Sequence, residues 1–599
     1  RFRYGLPEKI GGWEEIIDKK VVGAIREQLI WADLDGRKYV ALGSNKVLVI
    51  YFEGAYYDIT PLDTPITGAT FTTVNTSATV TVNKIGHGLT EGDLFTFTSV
   101  TPPTGAGYVA SDFETNTFQV VTATVDTFTI TMASAAGTSV AASGSAVINP
   151  YVEVGPLNQT AGYGWGTSSW GGQSGLVTTL NGALADDTQG NNGSATEITV
   201  TSALGFPTSG SIKVGTEFIS YTNITGNILQ GITRGSGGTR TAHSNGASVE
   251  YFTAWGQAST STTVLLDPAS WSLDHFGSTL VATIKNGKTF KWEAISSNPP
   301  ALTTRATAIT GAPTTSVMSI VSERDRHLII LGTETTIGTE STQDKMFIRF
   351  SDQENLSDYT PTSTNTAGTF RLDSGVKIVG AAKAKDYILI LTDTSAYIMQ
   401  FVGPPFTFSI RQVGSNCGLI GQHAIKYVNG KVFWMGQAGG FFVYDGTVKS
   451  LPCLVEDFVF TTKGDNLGIN YTAGEQVYAG LNHLYEEITW FYAKNGQEQV
   501  DRVVTYNYTE NTWTTGSLAR TSWADATLYD NPYATEFITT DVPTFPTIQG
   551  ATNINGASTY YAHEVGNNEV DALGNKTAIP AFITSGDFDL SSGGDGQFF

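Results

Sequence analysis

One pattern recurs along this chain: an apolar, aromatic-bearing run, a tight turn of Gly, Asp or Asn, a second such run, and a polar connection. It reads Tyr39-Val-Ala-Leu-Gly-Ser-Asn-Lys-Val-Leu-Val-Ile-Tyr51 near the start and Lys431-Val-Phe-Trp434-Met-Gly-Gln-Ala-Gly-Gly-Phe441-Phe-Val-Tyr444 much later. Two such runs around a glycine-bearing turn are the sequence form of a β-hairpin. A lone hairpin cannot bury its apolar face, so hairpins repeated at intervals of roughly 45 to 70 residues require a closed array in which each covers the next. Hairpins are expected to begin near Tyr39, Thr279, His327, Tyr387, Lys431, Glu487 and Ser558. The fold class that follows is mainly β: a propeller-like array of antiparallel hairpins or blades carrying two small β-domain insertions, with very little helix. The neighbourhoods of Glu14 to Asp18 and Asn355 to Asp358 are the two short helix candidates.

The spacing of the hairpins places the insertions. Those after residue 270 follow closely, whereas the first stands far upstream of the second. Between them the composition turns Thr/Val/Ala-rich, with alternating stretches such as Ala78-Thr-Val-Thr-Val82 and Asp126-Thr-Phe-Thr-Ile-Thr131, the period of half-buried strands. The expected division is an N-terminal segment with the first blade over 1–65, an inserted β domain over 66–152, a Gly/aromatic loop linker over 153–192, a second inserted β module over 193–253, and the remaining blades over 254–599. The linker includes Gly162-Tyr-Gly-Trp-Gly-Thr-Ser-Ser-Trp170-Gly-Gly172, which has neither helical nor strand period. Phe582 to Leu590 reads as a strand and Gly596 to Phe599 as the opening of another, which predicts that the natural chain continues past Phe599.

Composition removes several function classes. With 40% hydrophobic and only 15% charged residues, the 599-residue chain has the apolar surface to fold into several units. Its formal net charge of -21 is opposed to a surface that grips nucleic acid, which needs clustered Lys and Arg. Two cysteines, Cys417 and Cys453, make neither a disulfide framework nor a thiol metal site. No apolar run is long enough to span a bilayer, and Arg1-Phe-Arg-Tyr-Gly-Leu-Pro7 has no signal-peptide core.

No catalytic, cofactor-binding or metal-ligating residue is predicted. The seven histidines, His87, His243, His275, His327, His423, His483 and His563, are scattered without the i, i+4 spacing that puts two ligands on one helical face. Asp33-Leu-Asp35-Gly36 opens like a calcium loop, but Ser44 stands where the twelfth-position acid belongs, so it is read as a hairpin turn. The glycines of Gly162-x-Gly164-x-Gly166 lack the flanking strand and helix of a dinucleotide site. Cys417, within Gly414-Ser-Asn-Cys417-Gly418, is read as an inert thiol at a strand boundary. Nothing singles out a carboxylate pair for glycoside cleavage or a serine nucleophile on a sharp strand-to-helix turn. The aromatic positions in the hairpins, Tyr51, Trp292, Phe350, Tyr397, Trp434, Tyr444, Trp490, Tyr506 and Trp513, recur in register with the strands. They are therefore read as packing between sheets rather than as sugar-stacking platforms.

Several segments carry a family resemblance. Gly5-Leu-Pro-Glu-Lys-Ile-Gly-Gly-Trp13-Glu, Tyr51-Phe-Glu-Gly-Ala-Tyr-Tyr-Asp-Ile-Thr-Pro61, Phe433 to Gly446, Val504-Thr-Tyr-Asn-Tyr-Thr-Glu-Asn-Thr-Trp513 and Arg520-Thr-Ser-Trp523 together resemble virion structural proteins of tailed bacteriophages. The nearest functional class is the tail nozzle, or tail tubular protein B, family of short-tailed phages. Gly86-His87-Gly-Leu-Thr-Glu-Gly-Asp93 with Asp126-Thr-Phe128, and Gly205 to Tyr221 with Thr233-Arg-Gly235, resemble small β modules of phage tail proteins. The resemblance implies a non-enzymatic subunit, without cofactor, that is assembled in the bacterial cytoplasm and resides in the virion tail. Its implied partners are identical subunits in a hexameric ring, the tail adaptor or head-to-tail connector, tail fibres, and double-stranded DNA that passes during ejection without specific binding. Contact with the host cell surface at infection belongs to the same expectation. An acidic wall agrees with it, since such a wall repels phosphates. The alternatives are a receptor-binding or fibre-like tail protein that recognises host glycans and, second, a tail-borne polysaccharide depolymerase.

Overall fold

The computed structural model describes residues 1–161, 177–204, 206–237, 239–252, 265–295, 297, 300–464, 466–550 and 554–581. Gly162 to Gly172, Phe582 to Leu590 and Gly596 to Phe599, each singled out above, lie outside the described residues.

Among the described residues, six four-stranded antiparallel meanders succeed one another. Blade 1 is Ile25–Ala32, Lys38–Ser44, Leu48–Phe52 and Ala55–Asp58; blade 2 is Trp271–Phe276, Thr279–Ile284, Thr289–Trp292 and Thr307–Ala308. Blade 3 runs from Met318–Ser322 to Gly368–Arg371, blade 4 from Ile378–Lys383 to Thr407–Ser415, blade 5 from Ile425–Val428 to Val448–Leu451, and blade 6 from Tyr478–Asn482 to Thr512–Gly516. A larger sheet, blade 7, contains Ser522–Ala524, Tyr533–Ile538 and Ala557–His563. The first strand of each blade neighbours the first strand of the next, and Ser522–Ala524 returns to Ile25–Ala32, so the array closes on itself as a seven-bladed, propeller-like ring.

Six of the expected hairpins are the second and third strands of their blades. These strands are covered on both faces by adjacent blades, which is why His327–Leu331, Ile388–Thr392 and Leu48–Phe52 are buried at every position and read as continuous apolar runs. Tryptophans pin blade to blade. Trp271 of blade 2 donates its indole N–H to the Ser44 carbonyl of blade 1 at 2.8 Å, and Trp523 of blade 7 donates to the Leu481 carbonyl of blade 6 at 2.7 Å. Each ring lies over a glycine of the preceding blade: a Cβ on Gly43 would sit 2.5 Å from Trp271, and one on Gly480 would sit 2.7 Å from Trp523. Any side chain there would push the tryptophan out of its slot.

The seventh expected hairpin, at Ser558, is corrected. Ala557–His563 pairs antiparallel not with the chain that follows it but with Trp13–Glu15, in the register Trp13 to His563 and Glu15 to Tyr561. Closing a ring requires joining its ends, and a strand from the first residues does so here. Both helix expectations are also corrected. Glu14 lies in that strand, because pairing with a long partner outweighs nucleation of so short a helix. At 355–358 the Asn355 side chain accepts from the Ser357 amide at 2.8 Å, a local turn that competes with helix. The α-helices among the described residues are Ala110–Glu114 and Glu456–Phe460, and no helix there is long and apolar enough to cross a membrane.

The first insertion supplies seven strands of an eight-stranded sheet, from Ile66–Thr73 to Val140–Pro150, which enclose their own aromatic core, including Phe71, Phe95, Phe97, Phe113 and Phe118. Its edge strand Thr117–Gln119 takes Ile548–Gln549 of the blade 7 connection as a parallel neighbour. The second insertion is built on Gly210–Val214, Glu217–Tyr221 and Ser248–Phe252. Its sheet also takes in Val177–Thr179, upstream of the expected start at 193, because Leu180 and Leu184 fill its core.

Candidate functional site

At one end of the ring, side chains from non-neighbouring blades meet across the axis. His423, just before blade 5, places Nε2 3.0 Å from Ser270 Oγ and 3.1 Å from the Trp271 carbonyl of blade 2. Glu475, before blade 6, accepts from Lys285 of blade 2 at 2.8 Å and from Lys377, before blade 4, at 2.5 Å. The strap leaving the first insertion adds a bond from Asn158 to Glu498 at 2.6 Å and one from Arg26 to the Leu157 carbonyl, also 2.6 Å. At this end, side chains cross the axis of the subunit.

The charges there are strongly shaped by burial. Burial works to raise the Glu475 carboxyl, but Lys285 and Lys377 outweigh it and hold the group down to about 2. Burial, aided by Lys426 and Lys285, pushes His423 down to about 3. Burial also raises Glu27, 3.7 Å from His423, well above the usual carboxylate range. Elsewhere, Glu564 is brought to about 2 by His563 and Arg1 against the cost of burial.

These shifts set the acid response. A histidine held neutral and carboxylates held ionised bind fewer protons folded than unfolded, so their stabilisation is full above their ordinary values and is lost on acidification. Tm is expected to fall as pH drops below about 6.5, through His423, and to fall more steeply below about 4.5, through Glu475 and Glu564. Glu27 has the opposite sign, its contribution being lost as pH rises. A Tm that stays constant from pH 7 to pH 3 would contradict this balance.

The residues singled out in the sequence do not converge on one site. All nine hairpin aromatics are buried, including Trp434 and Trp490 at 0% exposure. Asp33 caps its hairpin turn by accepting from the Asp35 and Arg37 amides, both at 2.9 Å. His87 accepts from the Leu89 amide, His327 lies 2.7 Å from the Ser351 carbonyl, and His563 stacks on Trp13. Asp274, His275 and Glu323 do converge within 4.8 Å. Lys383, however, already reaches Asp274 at 2.8 Å and Glu323 at 2.6 Å and supplies the positive charge that a cation would bring. Burial pushes the thiols of Cys417 and Cys453 up to about 11 each, which leaves little nucleophilic thiolate. Ellman titration at pH 7.5 is therefore expected to count no fast thiol in the folded chain and two in 8 M urea; rapid native labelling would contradict this.

Two polar clusters escaped the sequence reading. Tyr151, at the exit of the first insertion, donates to Asp58 of blade 1 at 2.5 Å, accepts from Arg305 at 2.9 Å and lies 3.1 Å from Thr117 of the insertion. Arg305 also stacks on the Tyr151 ring, 4.6 Å from its centroid, so the insertion is clamped to blade 1. In the second insertion Glu217, fully buried, receives Arg234 through Nε at 2.9 Å and Nη2 at 2.7 Å, and lies 2.9 Å from His243 Nε2. Arg234, the arginine of Thr233-Arg-Gly235, spends its other donors on the carbonyls of Ala185, Thr188 and Thr241. That motif is a structural staple. One signal was readable: Glu217 shares the inward register with Ile219 and Tyr221, and an acid on a buried face needs a partner.

No family model matches the chain, and no curated protein matches it. Among solved structures it is similar to the CNH domain of AfRom2 (10% identity over 49% of this chain and 93% of that one, TM-score 0.29). It is also similar to the computationally designed Ika8 protein (10% identity, 64% and 96%, TM-score 0.27) and to an apocarotenoid oxygenase of Synechocystis (10% identity, 61% and 87%, TM-score 0.27). Likenesses this distant carry no argument about what the chain does.

Proposed function

We propose that this chain is a structural, non-enzymatic subunit of a bacteriophage tail of the nozzle, or tail tubular protein B, type. In this role it forms the wall of a ring through which DNA is ejected and on which tail fibres dock. The observation that carries the proposal is that two of the segments resembling that family, Gly5 to Glu14 and Arg520 to Trp523, meet in one cluster at the closure of the blade ring. Trp13 packs edge-on to Trp523 with ring centroids 5.9 Å apart, and the Arg520 guanidinium lies 4.1 Å from the Trp13 ring. Two of the segments that carry the likeness therefore help to complete the scaffold.

Three further features support the role. The recurrent aromatics are consumed by packing, leaving none of those nine rings free to stack on a sugar. The net charge of -21 repels phosphates, as suits a wall that must let DNA slide. Side chains that cross the subunit's own axis support a DNA path that runs between subunits, around the centre of the oligomer. Immunogold labelling of phage particles with antibody to this chain tests the location: gold confined to the tail is expected, and particles that lack the chain would overturn the proposal.

A further inference from the structure

We infer that the groove between blades 3 and 4 is a binding site for a neutral oligosaccharide. The groove holds a cavity of about 560 Å³ between the turn at Glu323 to Asp325 and the turn at Ala384 to Tyr387, a size that suits a ligand of a few rings. Its floor is apolar: Met399 and Phe408 are buried, and the rings of Phe401, Tyr387 and Tyr427 are half-buried beside them.

The polar rim decides the ligand class. Three acids, Glu323, Asp325 and Asp386, face three bases, Arg324, Lys383 and Lys385, so the rim carries no net charge. Most of these charges are already answered: Arg324 is 3.4 Å from Asp386, and Lys383 holds Glu323 and Asp274. The rim as a whole offers no net positive charge to a phosphorylated, sulfated or carboxylated ligand and no net negative charge to a cationic one. The Tyr387 and Tyr427 hydroxyls and the Lys385 ammonium have no hydrogen-bond partner among the described residues, and Asp325 receives only the Ser322 hydroxyl at 3.3 Å. Donors and acceptors thus stand free around aromatic faces. A sugar ring matches both, with a C–H face to lie on the rings and hydroxyls that give and accept. A hydrocarbon chain would leave the polar groups unanswered. A peptide would find turns and sheet faces here rather than an open strand edge to extend.

The site does not rest on the tail-subunit proposal, and either can fail alone. The test uses the full chain on an array of neutral hexose and N-acetylhexosamine oligosaccharides, their sialylated and sulfated counterparts, and unrelated peptides, followed by calorimetric titration of the best neutral glycan. Retention of neutral glycans is expected. Lys385→Ala, Tyr387→Phe and Tyr427→Phe should each weaken binding about three- to tenfold, and Tm should stay unchanged, since each alters a group without a protein partner. The inference is overturned if no neutral glycan is retained, if acidic glycans or peptides are preferred, or if the three variants bind as tightly as the parent.

Discussion

Trp13→Ala is expected to destabilise the folded chain by about 3–5 kcal/mol, the range for emptying a fully packed tryptophan site. Trp13 is 2% exposed although it lies in the first turns of a 599-residue chain. Its ring stacks on His563 at 3.9 Å with an interplanar angle of 20°, meets Trp523 and Tyr561 edge-on, and is capped by Arg520. Arg520 is itself only 2% exposed and leans on Glu536 at 3.1 Å, so removing the indole exposes a buried cation as well as a void. The backbone of the same residue pairs with His563, and loss of the anchor loosens the strand that closes the ring. Urea unfolding measures the loss, and hydrogen exchange should locate it as faster exchange over Ala557–His563. Trp13→Phe should keep most of the stability. A loss under about 1 kcal/mol for the alanine variant would mean that the N-terminal strand does not close the ring.

Glu217→Ala is expected to cost about 3–5 kcal/mol as well, through a different mechanism. Truncating one partner of a fully buried pair leaves the other charge without compensation. Arg234 has no route to solvent, since both side chains of the pair are 0% exposed. Burial works to raise the Glu217 carboxyl, yet the bonds from Arg234, the Thr241 amide and His243 bring it down to about 2, a sign that the site is built around the ionised form. Unfolding should be local, with exchange rising over 177–252 while the blades stay protected. The double variant Glu217→Leu/Arg234→Met should recover part of the loss, because an apolar pair removes the stranded charge. A single variant as stable as the parent would show that the pair does not hold the module.

The blades were legible where sequence and burial act locally. A short turn between two runs such as Tyr39-Val-Ala-Leu42 and Leu48-Val-Ile-Tyr51 reads as a hairpin packed on both faces. The outer strands were less legible because their sequence is unremarkable: Thr307–Ala308 is fully exposed and Gly368–Arg371 only half-buried. Trp13–Glu15 could not be placed at all, since its partner lies at 561–563 and long-range pairing leaves no local trace. The clusters fall between these cases. Glu217 betrayed itself by its register, whereas Tyr151, Asp58 and Arg305 come from three separate segments and are joined only by the fold. The groove between blades 3 and 4 was invisible for the same reason, because its aromatic floor and charged turns lie far apart in the chain.

The central claim, a ring-forming tail subunit, is tested most directly by a cryo-electron microscopy map of the assembled protein. Six copies of the 63.9 kDa chain around an open, acidic lumen are expected, with each blade ring beside the lumen rather than centred on it. A particle that remains a single chain at assembly concentrations, or a lumen lined by lysine and arginine, would contradict the account.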